Sequence, residues 1–490
     1  MAAYDLGFDS ITEEHADHDP EVEGSIPDWL SGTLYRNGPG KFGTDHGSVN
    51  HWFDGLAMLQ RFAFDAGSLT YSNRFLRTGA YETAHGSGFS GQFATGGGYL
   101  KQLLAILRGE VTDNANVHVA RLDGDHVALT ETPHGVAFDP RTLETRGEFR
   151  FSDDLSLQHV TAHYRRDETP RNGTERGDER GAYVGYGASF GRTNEYVLYR
   201  IPDGHRRREE IARHPVDQPA YIHSIGLTPG YAIVAEPPFV VDPIDFLKPG
   251  REGFVDYFQW KPDRGARFLV FERGSGDLAA EIGTEAFFVF HHVNAYEDEG
   301  GLVVDLVAYP DADIVADLSL EALAGDTPLV ADGELRRYRL DLDAPGATDA
   351  GGTVADRIDL YAGTELTRVS PGARLRPYRY AYGQATFREG ENGLVKIDVE
   401  TGAATEWFDG VYAEEPIFVP APDADREDEG VVLATALDPG AERSFLLVLD
   451  GETFEERARA WLPHHLPFGF HGRFYPRSPL CGRRGGRSTA

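Results

Sequence analysis

Residues 287–309 read FFVFHHVNAYEDEGGLVVDLVAY. An aromatic and β-branched run meets a short acidic, glycine-containing break, and a second apolar run follows. Runs of this length and composition, bounded by turn residues, are strand signals. The pattern recurs along the chain in HVALTET (126–132), AYVGYG (182–187), EYVLYRI (195–201), YAIVAEPPF (231–239), RFLVFERG (267–274), GVVLATAL (430–437) and SFLLVLDG (444–451). Turn signals fall roughly every ten residues, and 57 glycines suit many tight turns. The spacing leaves no room for helical crossovers, which excludes a doubly wound sheet. The reading is all-β. Blades of four strands take about 40–50 residues each, so seven blades with long loops use up 490 residues. No blade repeat is visible, and a two-sheet sandwich, unusually large at this length, is the alternative.

The same stretch carries a histidine pair. His291 belongs to a set with His163 in QHVTAHY, His223 in AYIHSIGLTPGY and His471 in PFGFHGRF, each on or beside a strand-like run. They are spaced 60, 68 and 180 residues apart. No local zinc-finger or helical motif has such gaps, so a site built from them is assembled by the whole fold. In a propeller the innermost strands line the axis, where residues one or several blades apart meet. A centre of neutral imidazoles suits iron, copper, nickel or zinc, and a mononuclear metalloenzyme is the leading expectation. His51, His159, His464 and His465 are read as structural.

The net charge of −32, from 79 acidic against 47 basic residues, repels phosphate backbones and argues against nucleic-acid partners. Only five bases are lysine. An acidic, lysine-poor surface fits molar salt, where screening is short-ranged, and points to the cytoplasm of a halophile, a halophilic archaeon in particular. With Cys481 as the single cysteine, no intramolecular disulfide forms. The N-terminal stretch lacks the apolar core of a signal peptide, and no run of 18 apolar residues spans a membrane.

Three segments depart from the strand pattern. Residues 165–181 (RRDETPRNGTERGDERG) read as a charged, mobile loop. Residues 87–109 pass from a glycine-rich loop into a short helical stretch with Leu100, Leu103, Leu104, Ile106 and Leu107 on one face. That face either packs on the body or forms an apolar mouth; the second reading places peripheral membrane contact at residues 87–107. Residues 476–490 read as a disordered basic tail behind a single domain at 1–475.

These residues resemble the carotenoid cleavage oxygenase family. GTLYRNGPGKF (32–42), HWFDGLAML (51–59), VTDNANV (111–117), ALTETPHGVAFDPRTLETRG (128–147), YIHSIGLTP, FHHVNAYED, RPYRYAYG (376–383), EEPIFVPAP (414–422) and GFHG follow in family order from about residue 24 to 475. The wording is nearest the animal β-carotene oxygenase and retinoid isomerase branch. The resemblance implies a seven-bladed β-propeller with a metal site on the axis and a helical and loop cap over one face. It implies ferrous iron, Fe(2+), bound by His163, His223, His291 and His471, with His292 pointing away. Glu131, Glu365 and Glu415 would orient His223, His291 and His471 respectively, and three carboxylates would bring a dication to a local sum of −1. Thr130 matches a threonine that limits access to an open iron position; no catalytic residue beyond the metal site is required.

The implied activity is a dioxygenase that adds both atoms of dioxygen across one conjugated double bond of a lipophilic polyene. A carotenoid or apocarotenoid would give aldehydes, retinal among them. Stilbene-type cleavage, a redox-neutral retinoid isomerohydrolase and a non-catalytic carotenoid binder are the alternatives. Stoichiometric iron separates the last from the others.

Overall fold

The computed structural model describes residues 4–89, 93–95, 112–168, 181–248, 251, 253–324, 333–344, 351–388 and 391–477. Most of the 87–107 segment, all but the ends of the 165–181 segment and residues 478–490 of the tail lie outside these.

Residues 287–309 form the hairpin their sequence suggests. Strand Phe288–Asp298 pairs antiparallel with Gly301–Tyr309, and Asp298 faces Gly301 across a two-residue turn. The Asp298 carboxylate accepts the Gly300 N–H at 3.0 Å. Gly301 sits at φ +126°, where a Cβ would lie 2.1 Å from the Leu340 carbonyl oxygen, so only glycine fits. Two further strands, Glu334–Asp341 and Thr353–Ala362, complete a four-stranded array.

Seven such arrays follow around an axis among the described residues, which makes the protein a seven-bladed β-propeller. The second blade comprises His118–Leu122 through Thr145–Phe149. The third runs from His159–Val160 to Glu209–Val216, and the fourth from Gly226–Leu227 to Leu278–Thr284. The hairpin above opens the fifth. The sixth and seventh share one ten-stranded sheet through the short bridge Tyr412–Ala413. The first blade is closed from both chain ends. Its innermost strand is Gly472–Pro476, paired with Gly32–Lys41, while Glu21–Gly24 adds an outer strand to Glu456–Trp461 of the seventh blade. Arg477 N–H then bonds Ser31 O.

The core is a ring of interfaces between neighbouring blades. Phe268, Val270 and Ile282 of the fourth blade pack on Val289, Val304, Leu306 and Tyr338 of the fifth, all at most 3% exposed. Inner strands are therefore buried on both faces and read as continuous apolar runs. The outermost strand Thr353–Ala362 is largely exposed.

One expectation needs correcting. Residues 165–167 are not loop. Arg165–Asp167 is a strand paired with Ala182–Ser189, and buried Asp167 holds an ion pair with Arg273. Charge hid the strand because its side chains are neutralised by partners distant in sequence.

Short helices and turns gather over one face. The Trp52–Asp54 turn is tied to the Asp313–Asp317 helix by His51 Nε2 on Val315 O at 2.8 Å and by Trp52 N–H on Leu318 O. Asp54, fully buried, accepts Phe93 N–H at 2.6 Å, Ala94 N–H at 3.0 Å and the Thr95 hydroxyl at 2.7 Å. Val255 N–H then bonds Phe93 O.

Candidate metal centre

The four histidines meet on the axis. One ring nitrogen from each of His163, His223, His291 and His471 lies within 4.8 Å of every other. The closest ring centroids are 4.3 Å (His163–His471) and 4.4 Å (His163–His223) apart. Each residue comes from an innermost strand or its approach. His163 lies between His159–Val160 and Arg165–Asp167, and His223 precedes Gly226–Leu227. His291 lies within Phe288–Asp298, and His471 immediately precedes Gly472–Pro476. Around His291 the register slips twice, between Val289 and His292 and again before Asn294. Such bulges re-aim a side chain and leave it unpaired on the ladder.

His292 takes no part in the cluster. Its Nδ1 faces Ser224 Oγ at 3.0 Å, and the same hydroxyl accepts the His292 backbone N–H at 2.9 Å. His51 is likewise held by backbone, accepting Phe53 N–H at 3.1 Å.

Carboxylates fix three of the rings. His223 Nδ1 is 2.7 Å from Glu131 Oε1, His291 Nδ1 is 2.5 Å from Glu365 Oε1, and His471 Nδ1 is 2.7 Å from Glu415 Oε1. These acceptors determine which nitrogen carries the proton and direct the Nε2 lone pair inward. Glu131 also accepts the Tyr221 hydroxyl at 2.7 Å. Glu415, with no exposed side chain, accepts Gly472 N–H at 2.7 Å and Arg368 Nε–H at 2.7 Å. Thr130 is buried and directly precedes Glu131 at the end of strand Asp125–Leu129.

The electrostatics are those of a site waiting for a cation. Burial, then the neighbouring imidazoles, hold His163, and burial together with nearby histidine and arginine charge holds His291 and His471, well below the ordinary imidazole range. All three imidazoles are therefore neutral at pH 7. Burial raises the Glu131 carboxyl, yet the His223 and His159 imidazoles together outweigh it and keep Glu131 well below the carboxylate range. Burial pushes Glu365 up to about 8.

The donor set fits a transition metal. His163 Nε2 is buried without a hydrogen-bond partner, and His291 Nε2 and His471 Nε2 face each other at 3.2 Å. Metal–imidazole bonds of about 2.1 Å place adjacent octahedral donors about 3.0 Å apart and opposite ones about 4.2 Å apart. The 3.2 Å between His291 Nε2 and His471 Nε2 is close to that of adjacent donors, so the cluster has the dimensions of a metal site.

Strand order did not reveal four further residues. His118 lies 5.4 Å and 5.5 Å, ring to ring, from His471 and His163. Its Nδ1 accepts Val119 N–H, which turns it away from ligation. Tyr221 and Arg368 brace Glu131 and Glu415. His159 Nε2 lies 3.8 Å from Glu131, too long for a hydrogen bond, and its ring stacks on Phe254. None sits in a motif that marks it as polar support.

An aromatic wall covers one side. Phe290 packs edge-on to His223 at 5.4 Å, and Phe53 packs on Phe290, Phe470 and Phe93 at 6.0, 5.3 and 5.3 Å. Phe53 and Phe93 remain half-buried.

Comparison with known proteins gives a consistent picture. The family described as RPE65: Retinal pigment epithelial membrane protein matches residues 8–476. The chain is similar to the mitochondrial carotenoid-cleaving dioxygenase of Macaca fascicularis, 30% identical over 93% of this chain and 91% of that protein. It is similar to the β,β-carotene 15,15′-dioxygenase of Gallus gallus, 28% identical over 96% and 98%. Among solved structures, the cobalt-substituted apocarotenoid oxygenase of Synechocystis superposes with a TM-score of 0.84 at 27% identity, covering 97% of this chain and 98% of that one.

Proposed function

The chain belongs to the retinal pigment epithelial membrane protein (RPE65) family, and from that premise we propose that it is a non-heme Fe(2+) dioxygenase cleaving one conjugated double bond of a carotenoid or apocarotenoid. The observation that carries the reading is the convergence of four imidazoles, three braced by carboxylates, beneath an aromatic wall. The names of the similar dioxygenases support the substrate class.

In this reading His163, His223, His291 and His471 hold the iron, and Glu131, Glu365 and Glu415 orient three of them. Bound there, ferrous iron would supply the activation of dioxygen whose two atoms end in the two carbonyl products. The protein's own residues do the rest. Phe290, Phe53 and Phe470 offer flat apolar faces that hold a rigid polyene and exclude water. Alignment of one double bond with the centre decides the products, because no side chain need donate or remove a proton. In this reading Thr130 would limit access to an open iron position. A substrate this apolar resides in lipid, so the reading includes peripheral membrane contact through residues 87–107. Ile244, 63% exposed in the Pro243–Leu247 turn, offers a further apolar contact on the described surface.

The test is anaerobic iron loading followed by aerobic incubation with β-carotene, apocarotenals and stilbenes, with chromatography of the aldehydes. Aldehydes from a carotenoid support the proposal. Iron-loaded protein that yields none, or that cleaves stilbenes alone, refutes it.

A further inference from the structure

Two residues past His163 and two past His471 the chain carries Arg165 and Arg473. Side chains on a strand return to the same face every second residue, about 6.6 Å further along. Both arginines therefore line the propeller axis one step beyond the imidazoles. Arg165 confirms this through its bonds: Nε–H donates at 2.6 Å to the carbonyl of Ile225, itself two residues past His223, and Nη2 donates to the His292 carbonyl. Arg473 Nη1 donates to the Tyr183 hydroxyl at 2.6 Å. Arg368, from strand Thr364–Val369, reaches the same level, with Nη2 3.4 Å from both His118 and His471. Arg374 follows the Pro371–Ala373 turn, which Asn294 of the inner strand Phe288–Asp298 holds on both sides by donating to Ala373 O at 3.0 Å and accepting Leu375 N–H at 3.0 Å, and the neighbouring charges are those of Arg473 and Arg368.

Four guanidinium groups thus converge on the side of the centre reached by continuing along the strands past the histidines. The aromatic wall includes Phe290 and Phe470, each immediately before its histidine. Among the ion pairs of the described residues none joins Arg165, Arg374 or Arg473 to a carboxylate, whereas Arg368 has Glu415. The acid that most favours the Arg374 charge, Glu168, is exposed and bonded to Arg166. In a chain with 79 acids and 47 bases this is an unexpected place to leave cations uncompensated. Burial and the two neighbouring arginines push the Arg374 guanidinium down to about 10. All three arginines are partly buried and keep partial solvent contact. Clustered cations with free N–H donors in a low-dielectric setting select an anion. Glu415 beside Arg368 and the Tyr183 hydroxyl beside Arg473 disfavour a second negative charge.

We propose that this arginine cluster binds one small monovalent inorganic anion, of halide size, between Arg165, Arg374 and Arg473. The site is independent of the iron assignment.

Bromide is the probe. Crystals of the full chain grown in potassium bromide should show, at the bromine absorption edge, an anomalous peak in contact with the Arg374 or Arg473 guanidinium. In solution, potassium bromide replacing potassium gluconate at constant ionic strength should raise Tm along a saturable curve. Arg374→Gln should move its midpoint at least tenfold higher, and Arg374→Lys should recover part of the loss. Iron content should be unchanged in both variants, which separates this site from the metal centre. Absence of the wild-type peak overturns the proposal, as does an identical bromide response in wild type and Arg374→Gln. If Arg374→Gln does not fold, the wild-type anomalous map decides.

Discussion

Replacing Glu415 by glutamine tests the reading of the centre most directly. The side chain is fully buried and each oxygen is an acceptor. Oε1 takes His471 Nδ1–H and Arg368 Nε–H, and Oε2 takes Gly472 N–H. A glutamine amide must turn its NH₂ toward one of these donors, so a donor faces a donor whichever way it flips. His471 then loses its anchor, and Arg368 loses its counter-charge. Loss of a partner that orients a ligand histidine costs about 10–100-fold in metal affinity, or about 1.4–2.8 kcal/mol. The assay is anaerobic titration of metal-free protein with ferrous iron against a chromogenic chelator. Glu414→Gln is the control. Glu414 pairs with buried Arg36 at 2.9 Å and touches none of the four histidines. Breaking a buried pair costs about 3–5 kcal/mol of stability, so its urea midpoint should fall while iron affinity stays at the wild-type value. Wild-type affinity in Glu415→Gln, or equal loss in both variants, would remove Glu415 from the site.

Three other outcomes are expected. His223→Ala should abolish cleavage and iron binding, whereas His292→Ala should keep most of both; equal iron loss in the two variants would overturn the ligand choice. Glu365, pushed up to about 8, holds a proton at pH 7 in the metal-free protein. A dication beside His291 favours the carboxylate, so metal loading at pH 7 should release about one proton, read by calorimetry in buffers of different ionisation enthalpy. Proton-neutral binding contradicts this. Finally, His163, His291 and His471 have folded values depressed below 6.5. Below pH 6.5 the unfolded chain binds protons that the folded one refuses, so stability of the metal-free protein is lost as pH falls from 6.5 toward the folded values. Three such groups give up to about 4 kcal/mol per pH unit. Urea melts at pH 7.5 and 5.5 measure it, and equal midpoints would show that the imidazoles are not buried as described.

The all-β class was legible because inter-blade burial leaves strands such as Gly301–Tyr309 apolar on both faces. Blade count was less legible, since no residue repeats at a fixed place in each blade, and the resemblance supplied it. Composition alone would not have paired Glu365 with His291. The chain separation is 74 residues, and the contact exists only once the fifth and sixth blades stand side by side. His118, Tyr221 and Arg368 escaped notice for the same reason, as each bonds across blades. The Arg165–Asp167 strand was missed because its charges find partners such as Asp203 and Arg273 that only the folded chain provides.

The first blade closes on its own innermost strand, Gly472–Pro476, and His471 arrives with it. During synthesis on the ribosome six blades can emerge and stack while the centre still holds three imidazoles. The fourth comes only when the end of the chain is threaded back beside Gly32–Lys41. A nascent polypeptide interrupted before that point lacks both the seam and the last donor, so ring closure and acquisition of a full donor set are one event. Quality control of the fold and of the catalyst then depend on the same final strand.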